Sequence, residues 1–337
     1  MKEKLLLSAA LCGSLLYPFS SFADNSAVST ETKPIQPFVM LKPIQPFVML
    51  KQMDKATNTL NYQLSYITIS EQGIESLRYR HALVNNQVFA QLLQMDGPRR
   101  EVIQRNRAIS YFDASSGVDP FTLPGDHIID GLPSILFANF DRLKDYYDFI
   151  SVGRSRVADR LCDVVRIVSK DGSRFSYAVW LDSASSLPLR ADLLSQEGET
   201  IEQFQVVDFA VDDQLQQVMA PLVDAKLPPE MTSLPKNSHT QLSWTPGWLP
   251  AGVQVLSQSQ RQVPALAKKI ESRLYSDGLF TFTVNVSAAN GSTPPQSYST
   301  GRRTLYVEIR NNKEISVVGE LPRETAKRIA DTVNTGT

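Results

Sequence analysis

Apolar and polar residues alternate along the stretch from Asn61 to Asp113. In its second run Leu77, Tyr79, His81 and Leu83 share one parity, while Ser76, Arg78 and Arg80 take the other. A period of two marks a strand with one buried and one wetted face. Four such runs, NYQLSYITIS, IESLRYRHALV, QVFAQLLQM and EVIQRNRAISYFD, are parted by Glu71-Gln72-Gly73, Asn85-Asn86 and Asp96-Gly97-Pro98. Joints this short connect only antiparallel neighbours, so the pattern predicts a meander. The period then changes. Leu136, Phe140, Leu143, Tyr147 and Ile150 recur every three or four residues opposite Asp141, Lys144 and Asp145, which predicts an amphipathic helix. Strands resume with CDVVRIVSK, FSYAVWLD, LPLRADLLSQ and TIEQFQVVDFAV, turning at Asp171-Gly172 and Glu197-Gly198. No βαβ rhythm occurs. The predicted fold class is α+β: a long curved antiparallel sheet able to hold helices or a ligand in its concavity, followed by a smaller α+β domain.

Between Asp212 and Thr240 the periodicity lapses, and Pro221, Pro228, Pro229 and Pro235 predict a linker over residues 213–240. WTPGWLPAGV opens a second domain, residues 241–337. There VPALAKK predicts a short helix, IESRLYSDGLFTFTVNVS a hairpin turning at Ser276-Asp277-Gly278, and TLYVEIR and ISVVG two more strands. A last helix follows Pro322, with Ala326, Ile329, Ala330 and Val333 on one stripe. A length of 337 residues agrees with two domains.

The start of the chain reads as an address. Lys2 and Lys4 precede the apolar run Leu5 to Tyr17, and Ser21-Phe22-Ala23 offers small residues where a signal peptidase reads. Residues 1–23 are therefore expected to be cleaved after Ala23. Leu11 before Cys12 argues against a lipid anchor, and no later apolar run approaches the length of about 18 that spans a bilayer. The mature chain is expected to be exported, without a transmembrane segment. Its one cysteine, Cys162, cannot form an internal disulfide and reads as a small buried residue. Lys33 to Leu41, KPIQPFVML, is repeated letter for letter from Lys42 to Leu50. Residues 24–47 are read as a flexible arm. The second copy leads into a helix through Leu50, Met53 and Ala56 or Thr57, and the first folded domain is placed at 48–212.

Net charge is -1, which gives no reason to expect nucleic acid. It is unevenly placed: from Lys226 onward 13 Lys and Arg face 8 Asp and Glu, against 21 and 27 before. Charge of this kind suits an acidic partner, domain docking or a solvated surface. The three histidines, His81, His127 and His239, lack metal-ligand spacing, and no GxSxG, P-loop or GxGxxG occurs. The sequence therefore predicts a non-enzyme with no catalytic residue, no metal and no cofactor.

The segments GIESLRYRHALVNNQVFAQLLQMDGPRREVIQRN, LPGDHIIDGLPSILFANFDRLKDYYDF, GRSRVADRLCDVVRIVSKDGSRFSYAVWLD, LPLRADLL and ESRLYSDGLFTFTVNV resemble the MucB/RseB family. That resemblance covers nearly all of the mature chain. It implies an N-terminal domain similar to the lipoprotein carriers LolA and LolB, an unclosed barrel with helices in its mouth, and a smaller C-terminal domain. It implies a periplasmic regulator of the sigma-E envelope-stress response. Such a regulator binds the periplasmic part of a membrane anti-sigma factor of the RseA/MucA type and shields it from site-1 proteolysis, with relief by lipopolysaccharide or lipidated protein. The second KPIQPFVML copy is not a recognised family feature. A periplasmic lipid or lipoprotein carrier is the alternative, and a homo-oligomer is compatible with the sequence.

Two sets of residues are candidates for binding. Leu77, Tyr79, Phe89, Phe175, Tyr177 and Val179, of one parity, with Phe140 and Tyr147 from the expected helix, would line an apolar cavity; a filled core is the competing reading. Arg302 and Arg303, adjacent before TLYVEIR, would pair with acidic residues of the partner; a solvated basic turn competes.

Overall fold

The computed structural model describes residues 45–231, 241–263 and 268–335. The expected signal peptide, the first KPIQPFVML copy, His239 and the tetrapeptide 264–267 within VPALAKK lie outside the described residues.

The second repeat copy becomes the start of α1 (Pro46–Thr59). Pro46 stands at the first helical position, where its missing N–H costs nothing. Leu50, Met53, Ala56 and Thr57 form the buried face, and Thr57 Oγ1 returns a bond to the Met53 carbonyl at 3.0 Å. Eleven strands then make one antiparallel sheet: β1 (Tyr62–Ser70), β2 (Gly73–Val84), β3 (Gln87–Gln94), β4 (Arg100–Arg105), β5 (Ala108–Asp113), β6 (Phe121–Pro124), β7 (Tyr147–Val157), β8 (Arg160–Ser169), β9 (Ser176–Asp182), β10 (Pro188–Leu194) and β11 (Thr200–Val211). Their spatial order is β6-β5-β4-β3-β2-β1-β11-β10-β9-β8-β7, so β1 pairs with β11 and the sheet remains open between β6 and β7. The segment from 125 to 146 crosses from one edge to the other and fills the concave side with Ile128, Ile135, Leu136 and Phe140, all fully or nearly fully buried.

Three expectations are corrected here. The run EVIQRNRAISYFD is two strands rather than one, because Asn106, with φ +52°, reverses the chain between β4 and β5. The helix expected over 136–150 is a 3-10 turn (Ser134–Phe137) and one turn of α2 (Phe140–Leu143). Asn139 stays extended between them and caps the second, accepting from the Arg142 N–H at 3.2 Å. Tyr147 and Ile150 belong to β7, where pairing with β8 overrides helical spacing. Finally, much of the expected linker is packed structure. After β11 come α3 (Leu215–Met219) and a 3-10 turn, and Met219 is buried against Ala82, Val84 and Phe89 on the outer side of the sheet. Arg105 holds the carbonyls of Val223 and Ala225 at 2.8 and 3.2 Å, and Glu230 pairs with Thr122 on edge strand β6.

The second domain is a six-stranded antiparallel sheet, order β13-β14-β15-β18-β17-β16. Its strands are β13 (Gln254–Val263), β14 (Lys268–Ser276), β15 (Thr281–Ala288), β16 (Gln296–Thr300), β17 (Arg303–Arg310) and β18 (Lys313–Glu320). Short β12 (Thr245–Pro246) pairs with β19 (Val333–Asn334). Helix α4 (Arg323–Asp331) closes the core with Ala326, Ile329 and Ala330, and Arg310 satisfies the carbonyls of Ala330, Asp331 and Val333 at its end. Strands β13 and β16 lack apolar alternation; their places come from pairing with β14 and β17.

Candidate functional site: the seam between the two sheets

The turn between β14 and β15 leaves its own sheet and enters the other one. Asp277 Oδ1 accepts the N–H groups of Leu279 and Phe280, each at 2.9 Å. That tight turn directs Leu279 and Phe280 into the core of the eleven-stranded sheet. Phe280 stacks on Tyr177, centroids 5.9 Å apart, and meets Phe175 edge-on at 6.2 Å.

The other carboxylate oxygen of Asp277 faces the larger domain. It accepts from the Tyr147 hydroxyl at 2.5 Å and from Arg174 Nε at 2.8 Å, with the Arg174 and Asp277 side chains each 1% exposed. Asp171 holds Arg174 from another side at 3.1 Å, and the guanidinium lies 5.3 Å from the Tyr147 ring centroid. A buried ion pair is tolerated when its remaining lone pairs and protons are satisfied, and this carboxylate accepts on both oxygens. Burial, reinforced by the Asp277 charge, pushes the Tyr147 hydroxyl far above its ordinary range, so it remains a donor. Around this cluster the Ala251 N–H donates to Asp171 at 3.1 Å and Thr325 Oγ1 to the Ser173 carbonyl at 2.6 Å.

A second, wetter contact lies at the turn between β16 and β17. The Gly301 N–H donates to Glu71 Oε2 at 2.7 Å. Arg302 Nε lies 3.6 Å from Glu202 and 3.2 Å from Glu320, its side chain 25% exposed. Burial works against the Arg302 charge, but Glu320 and Glu202 outweigh it and raise the pKa. Beside Arg302 is a cavity of about 180 Å³ whose walls include Glu75, Leu132, Tyr177, Leu193, Glu202 and Phe204.

The candidate cavity residues are distributed differently from the expectation. Leu77, Tyr79, Phe140, Tyr147, Phe175, Tyr177 and Val179 share one buried cluster, but of these only Tyr177 borders the cavity. Phe280 and Asp277 occupy the space beside Tyr147, Phe175 and Tyr177, so this part of the interior is filled core. Phe89 points to the opposite side of the sheet, against Met219. The reason is register: β2 and β3 pair Tyr79 with Leu92 and Ala82 with Phe89, odd with even, so Ala90 and Leu92 continue the inner face. Tyr147 contributes from β7, not from a helix. Arg302, one candidate for pairing with acidic residues of the partner, is engaged by two glutamates of its own chain, whereas Arg303, the other, is exposed at the start of β17.

Asp277 and Arg174 were not singled out by sequence reasoning. Asp277 sits in a Ser-Asp-Gly turn and Arg174 in a polar loop, and neither context signals burial. Of the titratable groups weighed for chemistry, Cys162 is buried and its thiol pushed up to about 11 by that burial. His81 is buried, with Nδ1 2.8 Å from the Leu60 carbonyl. Neither occurs among the residues of the seam.

The MucB/RseB N-terminal domain profile matches residues 45–230, and the MucB/RseB C-terminal domain profile matches 238–334. The chain is 54% identical over 286 residues to the Sigma-E factor regulatory protein RseB of Escherichia coli K12, covering 85% of this chain and 89% of that protein. It is 38% identical to the protein of the same name from Haemophilus influenzae, covering 84% and 89%. A solved Pseudomonas aeruginosa MucA/MucB complex matches in fold at a TM-score of 0.65 and 23% identity, over 87% of this chain and 99% of the other.

Proposed function

The chain belongs to the MucB/RseB family, and from that premise we propose that it regulates a sigma-E type envelope-stress response by binding the periplasmic region of a membrane anti-sigma factor. Bound there, it shields the factor from site-1 proteolysis and acts without catalysis of its own; lipopolysaccharide or a lipidated protein relieves the shielding. The observation that carries this reading is the extent of the match, which runs through both domains rather than through the sheet alone. A carrier would need only the concave sheet. Here the second domain also puts Leu279 and Phe280 into that sheet's core, which supports a reading in which both domains take part in binding.

Export and cleavage after Ala23 belong to the same reading, since its partner segment is outside the cytoplasm. An osmotic-shock fraction should contain a chain beginning at Asp24. Calorimetry of that mature chain with the periplasmic segment of the cognate anti-sigma factor should show saturable binding, and the bound segment should survive a site-1 protease that degrades it when free. No heat and no protection would overturn the proposal.

A further inference from the structure

The cavity beside Arg302 is lined by more negative than positive charge. Glu75 and Glu202 stand in its wall, and Arg302 is the one cation there. The exposed Glu75 side chain makes no hydrogen bond or ion pair among the described residues, whereas Glu202 is shared with Arg302.

Size and shape narrow the choice. At about 180 Å³ the space equals roughly six water molecules' share of liquid volume. Leu132, Leu193 and Phe204 could cover an aliphatic stem while the carboxylates meet its charged end, the way Lys and Arg side chains divide between apolar and polar surroundings. An acyl chain would strip water from the carboxylates without replacing it, and a phosphate would meet Glu75 and Glu202 as like charges. An open groove adjoins, lined by Ile69, Glu71, Thr200, Ile201, Ser299 and Gly301. Ser299 belongs to β16, which among the described residues pairs with β17 alone and so presents an edge to an extended chain.

We propose that this cavity receives one basic side chain, Lys or Arg, from an extended segment of the protein partner lying in the adjoining groove, and that this side chain competes with Arg302 for Glu202. The inference rests on the anti-sigma reading and names the chemistry that the seam recognises in the partner. It reverses the sign expected from Arg302 alone: the partner contributes a cation here, not an acid. Binding then loosens the wet contact at Arg302 while the buried Tyr147–Asp277–Arg174 contact keeps the domains joined.

The test uses the full mature chain and the anti-sigma periplasmic segment with each Lys and Arg replaced in turn by Met. At one position the loss on the wild-type protein should be roughly tenfold, and on Glu75→Gln/Glu202→Gln it should shrink to within about twofold. A contact made elsewhere would lose equally on both proteins. Arg302→Met, which frees Glu202, should tighten the unaltered segment several-fold. Should Glu202→Gln lower the melting temperature, Glu75→Gln alone carries the comparison, since Glu75 holds no partner in the described structure. If the unaltered segment binds but no basic position couples to the glutamates, or Arg302→Met weakens binding, this inference falls and the anti-sigma reading stands. If the segment does not bind the wild-type chain, both fall.

Discussion

The Tyr147 hydroxyl donates to Asp277 Oδ2 at 2.5 Å, joining residues 130 positions apart, one at the start of β7 and the other in the turn between β14 and β15. The same oxygen holds Arg174, so the one carboxylate fastens the start of β7, the loop before β9 and the second domain together. Asp277→Ala leaves the buried Tyr147 hydroxyl without its acceptor and the buried Arg174 guanidinium with Asp171 as its one remaining carboxylate among the described residues. It should cost about 3–5 kcal/mol, the usual penalty for breaking a buried pair from one side. Tyr147→Phe removes a single bond and should cost about 1–3 kcal/mol. Urea unfolding followed by Trp180 fluorescence for the large sheet and by Trp244 for the small one checks this. The two probes should coincide in the wild type and separate in Asp277→Ala.

Met219 tests where the first domain ends. It is 1% exposed and packs on Phe89, Ala82 and Val84 beyond the last strand of the sheet. Met219→Ala should destabilise the large domain by about 2–5 kcal/mol, as for a buried residue leaving a cavity. Limited proteolysis should then cut within 213–231 where the wild type resists. A true linker would be indifferent to the change, within about 0.5 kcal/mol.

Much of the sheet was legible because its strands carry the period of two and its turns carry their own chemistry. Asn85-Asn86, with φ of +51° and +62°, is a two-residue hairpin whose residue types announce it. The stripe Leu50, Met53 and Ala56 likewise announces α1. Strand β7 was not legible: Phe149 and Ile150 are adjacent, and Ser151 to Arg156 are exposed on both faces, so no alternation survives. Phe89 was misplaced because parity does not carry through a hairpin whose cross-strand pairs join odd with even. The seam was hidden for another reason. Asp277, Arg174 and Arg302 are polar residues in turns and loops, and only tertiary contact makes two of them buried and the third shared.

His81 supplies a pH dependence. Its ring stacks on Tyr62 at 5.3 Å and shares a hydrogen bond with the Leu60 carbonyl. Burial lowers its pKa below the ordinary value of 6.5, in spite of that carbonyl, and His127 acts in the same direction. The folded protein therefore binds a proton here less readily than the unfolded chain. The stability this contributes is fully present above pH 6.5 and is lost as pH falls through the lowered folded value. His127, also lowered by burial, adds to the slope. Melting temperature should fall between about pH 7 and pH 5, and His81→Phe, which keeps the ring but cannot take the proton, should flatten the fall. An unchanged slope in His81→Phe would assign the effect to other groups.

Phe280 and Phe282 are two residues apart, yet they serve different cores. Phe282 is 2% exposed in the small domain and stacks on Tyr275 at 5.2 Å. Phe280 is equally buried but stacks on Tyr177 in the large sheet. Either change to Ala should cost about 3–5 kcal/mol. The costs should appear in different places: Phe280→Ala should lower the Trp180 transition, and Phe282→Ala the Trp244 transition. Phe280→Ala and Tyr177→Ala should also couple by about 0.5–1.5 kcal/mol in a double-mutant cycle, the range for an aromatic pair beyond its buried area. Phe282→Ala and Tyr177→Ala should add independently. Additivity between Phe280 and Tyr177 would mean that the two rings do not stack in solution, and that the second domain is not seated in the concave face of the first.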